Sequence, residues 1–385
     1  MTPVRQLALK LSALAVAAGL SASVIAQEIR IGLTGTFTGP NASVGIPYRN
    51  TAEIYPPTLG GLPARWIVLD DGGDPTAGIK NARRFVDEDK VDAIVGSTST
   101  PVATAMFDIA NESRTLQIAM APVAIPSGKA AWLLNIPQPV PLMVSAIVDD
   151  MKRRGIKTAA YIGYADGWGD LNWNGFSKLA ADAGIKVVAT ERFNRTDTSV
   201  TAQALKVFSA SPGAVFVGAS GTPAVLPHVS IKDLGFKGPI YHTHGAVAGA
   251  FIQSGGKAVE GALMPTGPMV VTPDLPESNP IRKVSTDFIA RYQAKWGPGA
   301  VTPFAGYAWD AYLLLDAAAA AAAKSGAKPG TPQFRTALRD AMIAGNDVVG
   351  TNAVYRHTDA DRYGVDERGR VLVEVKSGAF RLFKP

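Results

Sequence analysis

The residues most able to engage a ligand are the hydroxyls of Ser97-Thr98-Ser99-Thr100, which follow the apolar run Val91-Asp92-Ala93-Ile94-Val95-Gly96 and lead into Pro101. A buried parallel strand reads as such a β-branched run. Thr100-Pro101 reads as an N-cap followed by the first helical residue, where proline's missing N–H costs nothing. Val102, Ala105, Met106, Ile109 and Ala110 then recur at helical spacing. Hydroxyls and helix-start amides at a strand's carboxyl end are suited to hold an anion. The arrangement occurs twice: Ala93-Ile94-Val95-Gly96 lies over Val215-Phe216-Val217-Gly218, and Ser99-Thr100-Pro101 over Gly221-Thr222-Pro223, without a gap. Two βα units of one kind predict two similar lobes, each offering a loop at the carboxyl edge of its sheet, with a small ligand between them.

Other chemistry is weaker. His228, His242 and His244 suggest a metal by composition, but the strand is expected to end at His242, so that His242 and His244 are expected to point to opposite faces. One is expected to donate to a ligand carboxylate or carbonyl and the other to be satisfied within the fold. His357 is expected to be structural. The acids Asp70-Asp71-Gly72-Gly73-Asp74-Pro75 lack calcium-loop spacing and read as a turn and helix cap. Asp149-Asp150 reads as a solvated pair on a helix surface. There is no nucleophile elbow, Walker loop or dinucleotide fingerprint, so the chain does not read as an enzyme, and no cofactor is expected.

The elements that would position these residues alternate along the chain. Strands are expected at Arg30–Thr34, Ala64–Leu69, Leu116–Met120, Thr158–Ile162, Lys186–Thr190, Gly213–Val217 and Ile240–His242, with helices between them over Tyr48–Ile54, Thr76–Asp87, Asn172–Ala183 and Val200–Ser209. The alanine run Ala317–Ala323 belongs to an amphipathic helix.

At 385 residues, with 47% hydrophobic and 18% charged, the chain is long enough for two domains of ordinary size. Arg5 and Lys10 precede an apolar run from Leu11 to Leu20, and Val24 and Ala26 suit a cleavage site, so residues 1–26 read as a secretory signal peptide. The run is short for a membrane span. Removal lowers the formal charge from +6 to +4, and the remaining basic residues are scattered, which argues against a nucleic-acid partner. The lack of cysteine excludes disulfide and thiolate chemistry.

Ile29-Arg30-Ile31-Gly32-Leu33, Thr38-Gly39-Pro40, the Asp70-Asp71 to Asp74-Pro75 run and Phe304-Ala305-Gly306-Tyr307-Ala308-Trp309-Asp310-Ala311 together resemble the branched-chain amino-acid type of solute-binding protein of ABC importers. The resemblance covers essentially the mature chain. It implies an α/β, type I periplasmic-binding fold: two similar doubly wound Rossmann-like lobes joined by a three-crossing hinge. Lobe 1 would comprise 27–138 plus 267–355 and lobe 2 would comprise 139–266 plus 356–385, with crossings near Asn135–Pro141, Met264–Pro268 and Tyr355–Asp361.

The resemblance also implies roles. Ser99 and Thr100 would hold a ligand carboxylate, and the loop from Ala121 through Val123 to Ile125 would supply backbone groups. Val44 would contribute from the loop after the first strand, and Trp168 stands where the family often has a tyrosine clamp. The family's ammonium-binding threonine falls on Ile125, and no carboxylate follows Ile240–His242. A buried ammonium without an acceptor costs several kcal/mol, so the expected ligand is a small organic anion without an amine, plausibly an aromatic carboxylate. Trp168, Tyr241, Phe304 and Tyr307 are candidate ring contacts, and Thr222 with His242 or His244 would close over the ligand. Implied partners are an inner-membrane ABC permease with a separate ATPase, served by a periplasmic monomer. Amino-acid binding for such an importer, or ligand sensing for a membrane receptor, are the alternatives.

Overall fold

The computed structural model describes residues 28–125, 128 and 131–384. The signal-peptide reading lies outside the described residues.

The first sheet comes from β1 (Ile29–Gly35), β2 (Thr58–Leu59), β3 (Leu62–Asp70), β4 (Ala93–Val95), β5 (Leu116–Ala119) and β6 (Leu133–Asn135), in the order β2-β3-β1-β4-β5-β6. The second holds β7 (Thr158–Tyr164), β8 (Lys186–Phe193), β9 (Ala214–Gly218), β10 (Ile240–His242) and β11 (Leu263–Thr266). A short hairpin, β12 (Val348–Val349) with β13 (Val354–Tyr355), stands apart, and β14 (Val371–Lys376) and β15 (Ala379–Leu382) complete the second sheet as β15-β14-β11-β10-β9-β7-β8. The parallel parts, β3-β1-β4-β5-β6 and β8-β7-β9-β10-β11, share one winding. The duplicated segment of the sequence is thus the third strand of each winding, β4 and β9.

The strands lie where helices cover both faces, which explains their unbroken apolar character: all three residues of β4 and all five of β9 are buried. The helix Pro75–Asp87 approaches β1 so closely that a Cβ on Gly32 would lie 2.5 Å from the Phe85 ring. The helices Pro280–Trp296, Pro303–Lys324 and Pro332–Met342 return to the first sheet, contributing Phe288, Phe304, Leu315 and Phe334 to its core. The chain passes between sheets after β6, after β11 and between β13 and β14. Ala318, Ala319 and Ala322 are buried while Ala317 is exposed, so the alanine run is one amphipathic face of Pro303–Lys324.

Several expectations are corrected. Thr100–Ala105 and Phe107–Ser113 are two short helices meeting at Met106, and the N-cap is Ser99, one residue earlier than read. The helix read from Asn172 begins at Gly167, because the Asp166 side chain accepts from Trp168 N and Gly169 N. Asp150 is not solvated. It is 1% exposed and accepts from Tyr241 Oη at 2.6 Å and from Arg153 and Arg154. Burial alone would raise its pKa, but these bonds outweigh burial and hold the carboxyl below its usual range. Tyr241 is thereby committed to the second lobe's core and makes no ring contact in the cleft.

Buried carboxyls and buried imidazoles set the pH response. Asp310 receives hydrogen bonds from Thr351 N, Asn352 N and Tyr355 Oη, yet burial wins and its carboxyl is pushed up to about 6. His228 stacks on His242 with Nδ1 2.9 Å from His242 Nε2, while its Nε2 lies 2.9 Å from Ala258 O. A carbonyl only accepts, so His228 Nε2 carries the proton and His242 Nε2 donates. Burial lowers His228 to about 4, lowers His242 well below its usual value and lowers His357, whose Nε2 lies 2.9 Å from Asn135 O.

An unfolded chain protonates these imidazoles near 6.5 while the folded one resists, so stability falls as the pH drops from 6.5 towards 4. Asp310 acts oppositely, costing stability as pH rises from its unfolded value of 3.8 to about 6, and Asp71 and Asp92, also raised by burial, act with it, but these three carboxyls stand against four buried imidazoles, all lowered. The melting temperature should therefore fall between pH 7 and 4.5. A flat profile would contradict the neutral histidines. Phe216→Ala, which empties the space between Tyr161 and Phe176 in the second core, should cost about 3–5 kcal/mol in denaturant unfolding.

Candidate functional site

On the first lobe the hydroxyl loop is fixed from below by Asp71, which is 2% exposed and accepts from Ser97 Oγ at 2.7 Å, Thr36 Oγ1 at 3.0 Å, Thr34 Oγ1 at 3.2 Å and Gly73 N at 2.9 Å. Burial raises its pKa despite these donors. Ser97 Oγ in turn accepts from Ser99 N, and Thr98 Oγ1 accepts from Thr36 N at 3.0 Å, which leaves the Thr98 proton to donate elsewhere. Gly96, at φ 136, lets the loop press onto β1: a Cβ there would lie 2.1 Å from Thr34 O. Ser99 occupies the N-cap without capping through its side chain. Thr100 lines the cavity, but its Oγ1 donates to Pro122 O at 2.8 Å, so that proton ties two loops together.

The second lobe contributes the residues around the ends of β7, β8, β9 and β10. Arg195 donates from Nε to Asp166 Oδ2 at 2.6 Å and from Nη1 to Ser220 Oγ at 3.3 Å, with its guanidinium 4.3 Å from the Tyr164 ring centroid. Tyr164 Oη donates to Ser220 O at 2.6 Å. Trp168 and His244 are buried and meet edge to face at 5.3 Å. Trp168 Nε1 and both His244 ring nitrogens have no hydrogen-bond partner. Burial alone lowers His244 to about 3.

These walls border a cleft whose empty space, counted with the solvent it opens to, is about 390 Å³. Val44, Tyr48, Met120, Phe304 and Tyr307 give its apolar surface, Thr98, Ser99 and Thr100 line it from one lobe, and Trp168, Arg195, Ser220 and His244 line it from the other. No Asp or Glu lines it among the described residues, and Arg195 is its one formal charge. The lobes touch beside it: Asn41 Nδ2 donates to Ser220 Oγ at 2.8 Å, and Thr222 N and Oγ1 both reach Ser43 Oγ at 3.2 Å.

Of the residues singled out in the sequence, Val44, Ser99, Thr100, Ala121, Trp168, His244, Phe304 and Tyr307 meet at this cavity. Three do not. Val123 is turned to Tyr363, whose Oη donates to Val123 O at 2.7 Å, and His242 faces His228 and Phe251 in the second core. Thr222 spends its polar atoms on Ser43, joining the lobes without lining the cavity. Ile125 packs in a small apolar cluster with Val123 and Leu133.

Arg195, Ser220 and Tyr48 were missed, whereas Thr98 lies in the hydroxyl run already singled out. Arg195 escaped notice because β8 was read as ending at Thr190, whereas it runs to Phe193 and brings Arg195 to the sheet's carboxyl edge. An arginine two residues beyond a strand on that edge, with Arg192 on the strand itself, was the available signal.

The chain matches the family model described as periplasmic binding protein over residues 28–364. A solved extracellular ligand-binding receptor from Rhodopseudomonas palustris HaA2 is 44% identical, with a TM-score of 0.91, over 93% of this chain and 100% of that one. A solute-binding protein of an ABC transporter from R. palustris, solved in complex with benzoate, is 20% identical with a TM-score of 0.76 over 92% of this chain and 95% of its own, a likeness of fold. The leucine-, isoleucine-, valine-, threonine- and alanine-binding protein of Pseudomonas aeruginosa is 28% identical over 54% of this chain, a match spanning 58% of that relative's length. With its paired windings, its cleft between them and this match, the chain belongs to the periplasmic binding protein family, whose members are solute-binding proteins.

Proposed function

We propose that this protein captures a small organic anion lacking an amine, in particular an aromatic carboxylate, between its lobes and presents it to an ABC permease from the periplasm. The observation that carries the reading is the cavity's charge: one arginine, a row of hydroxyls and no carboxylate. An ammonium placed there would lose its hydration without gaining an anion, which costs several kcal/mol. A carboxylate instead meets the Thr98 and Ser99 hydroxyls on one lobe and the remaining guanidinium protons of Arg195 on the other. Trp168, Tyr48, Phe304 and Tyr307 offer ring faces and edges suited to an aromatic body.

In this reading lobe 1 is 27–138 with 267–355 and lobe 2 is 139–266 with 356–385, and the ligand enters when they part. Closure brings Arg195, Trp168 and Ser220 over a ligand seated at Ser99 and Thr98, and the Asn41–Ser220 and Ser43–Thr222 bonds hold the closed form. Binding is then a shift of population towards closure, weakened by whatever closure costs. The benzoate complex of a structural neighbour supports an acid as ligand. The name of the Pseudomonas relative favours amino-acid binding as a second reading.

A thermal-shift and calorimetric panel separates the two. Benzoate-type or aliphatic carboxylates should raise the melting temperature, since a ligand that binds only the folded state stabilises it by mass action. Strong stabilisation by leucine or valine with none by simple acids would overturn the anion reading. Arg195→Gln should weaken the best acid of that panel about 10- to 100-fold, as expected for losing a charged hydrogen bond. An unchanged Kd would remove Arg195 from the site.

A further inference from the structure

His244 is the polar group of the cavity wall whose hydrogen-bonding capacity the fold leaves unused. It is 3% exposed, its ring meets Trp168 at 5.3 Å, and neither ring nitrogen has a partner. The other described imidazoles are anchored. His228 gives its Nε2 proton to Ala258 O and accepts from His242 at Nδ1, and His357 gives its Nε2 proton to Asn135 O. At His244 nothing in the protein selects the tautomer, and Trp168 Nε1 beside it is also an unspent donor. Buried groups left in this state cost free energy unless a ligand completes them.

Resting on the anion reading above, we propose that His244 is a specificity-determining residue that selects, among carboxylic acids, those bearing a hydroxyl group. The division of labour follows from charge. Burial keeps His244 neutral, with its pKa lowered to about 3, so it adds no positive charge for a carboxylate, which falls to Arg195 and the hydroxyl loop. A neutral imidazole free to take either tautomer pairs best with a neutral group that both donates and accepts. A hydroxyl meets either a ring N–H or a bare ring nitrogen, and its oxygen still accepts from an indole N–H. An acid without the hydroxyl would leave these nitrogens desolvated and unpaired, and this is how a polar site rejects an analogue lacking the matching group.

The test is calorimetry with matched acids: benzoate against 3- and 4-hydroxybenzoate, and butyrate against 3-hydroxybutyrate. The native protein should bind one hydroxy acid at least about tenfold more tightly than its parent, a difference of about 1.4 kcal/mol. In His244→Phe, which keeps a ring against Trp168 but no polar atom, that ratio should collapse to within about threefold, and His244→Gln, with a donor and an acceptor, should restore part of it. Melting curves without ligand establish that each variant is folded, and His244→Gln carries the test if His244→Phe is not. Acids that bind with no preference for the hydroxyl, or a preference that survives in His244→Phe, would overturn the assignment and leave the anion reading standing. Failure of every acid alongside stabilisation by leucine would overturn both.

Discussion

Ser220 Oγ is the atom on which the closed cleft depends. It accepts from Asn41 of the first lobe at 2.8 Å and from the cavity arginine of the second at 3.3 Å, so one hydroxyl oxygen joins the contact between the lobes to the guanidinium at the cavity. Its own backbone is held in turn, since the Ser220 carbonyl accepts from Tyr164, whose ring also carries Arg195. A guanidinium bound to Asp166, stacked on an aromatic face and bonded to Ser220 loses little further freedom when an anion arrives.

The first lobe solves the same problem without a cation. Asp71 is a buried carboxylate supplied only with hydroxyl and amide donors, and through Ser97 it fixes the amide of Ser99. The hydroxyl loop is therefore set before any ligand binds, with the Thr100 proton used internally and those of Thr98 and Ser99 on the cavity side. A rigid polar wall facing a rigid cationic wall suits a small anion, because little side-chain entropy remains to be lost on binding.

Much of this was legible in the chain because periodicity and turn chemistry are local. The apolar run Ala93–Val95, the copy at Val215–Gly218 and the helix-start prolines identified the third strand of each winding, and both strands carry cavity loops. Val123 and Thr222 were named from loops that do reach the cleft's rim, but which atoms of a loop turn inward depends on distant partners, Tyr363 for one and Ser43 for the other. His242 and His244 show the limit most plainly. Two residues apart, they would share one face of a continuous strand, but β10 ends at His242, and the packing of His228 and Phe251 decided that His242 faces the core.

By itself the sequence determined two doubly wound lobes, a hydroxyl loop at the carboxyl edge of a sheet and the absence of an acid after β10. These follow from local spacing and from residue type. Only the tertiary structure decided that Arg195 faces the same space as Ser99, since the two lie on different lobes. The hydroxyl loop is accordingly half of a cavity wall: it offers donors, and the arginine, the indole and the unpaired imidazole of the other lobe form the facing half.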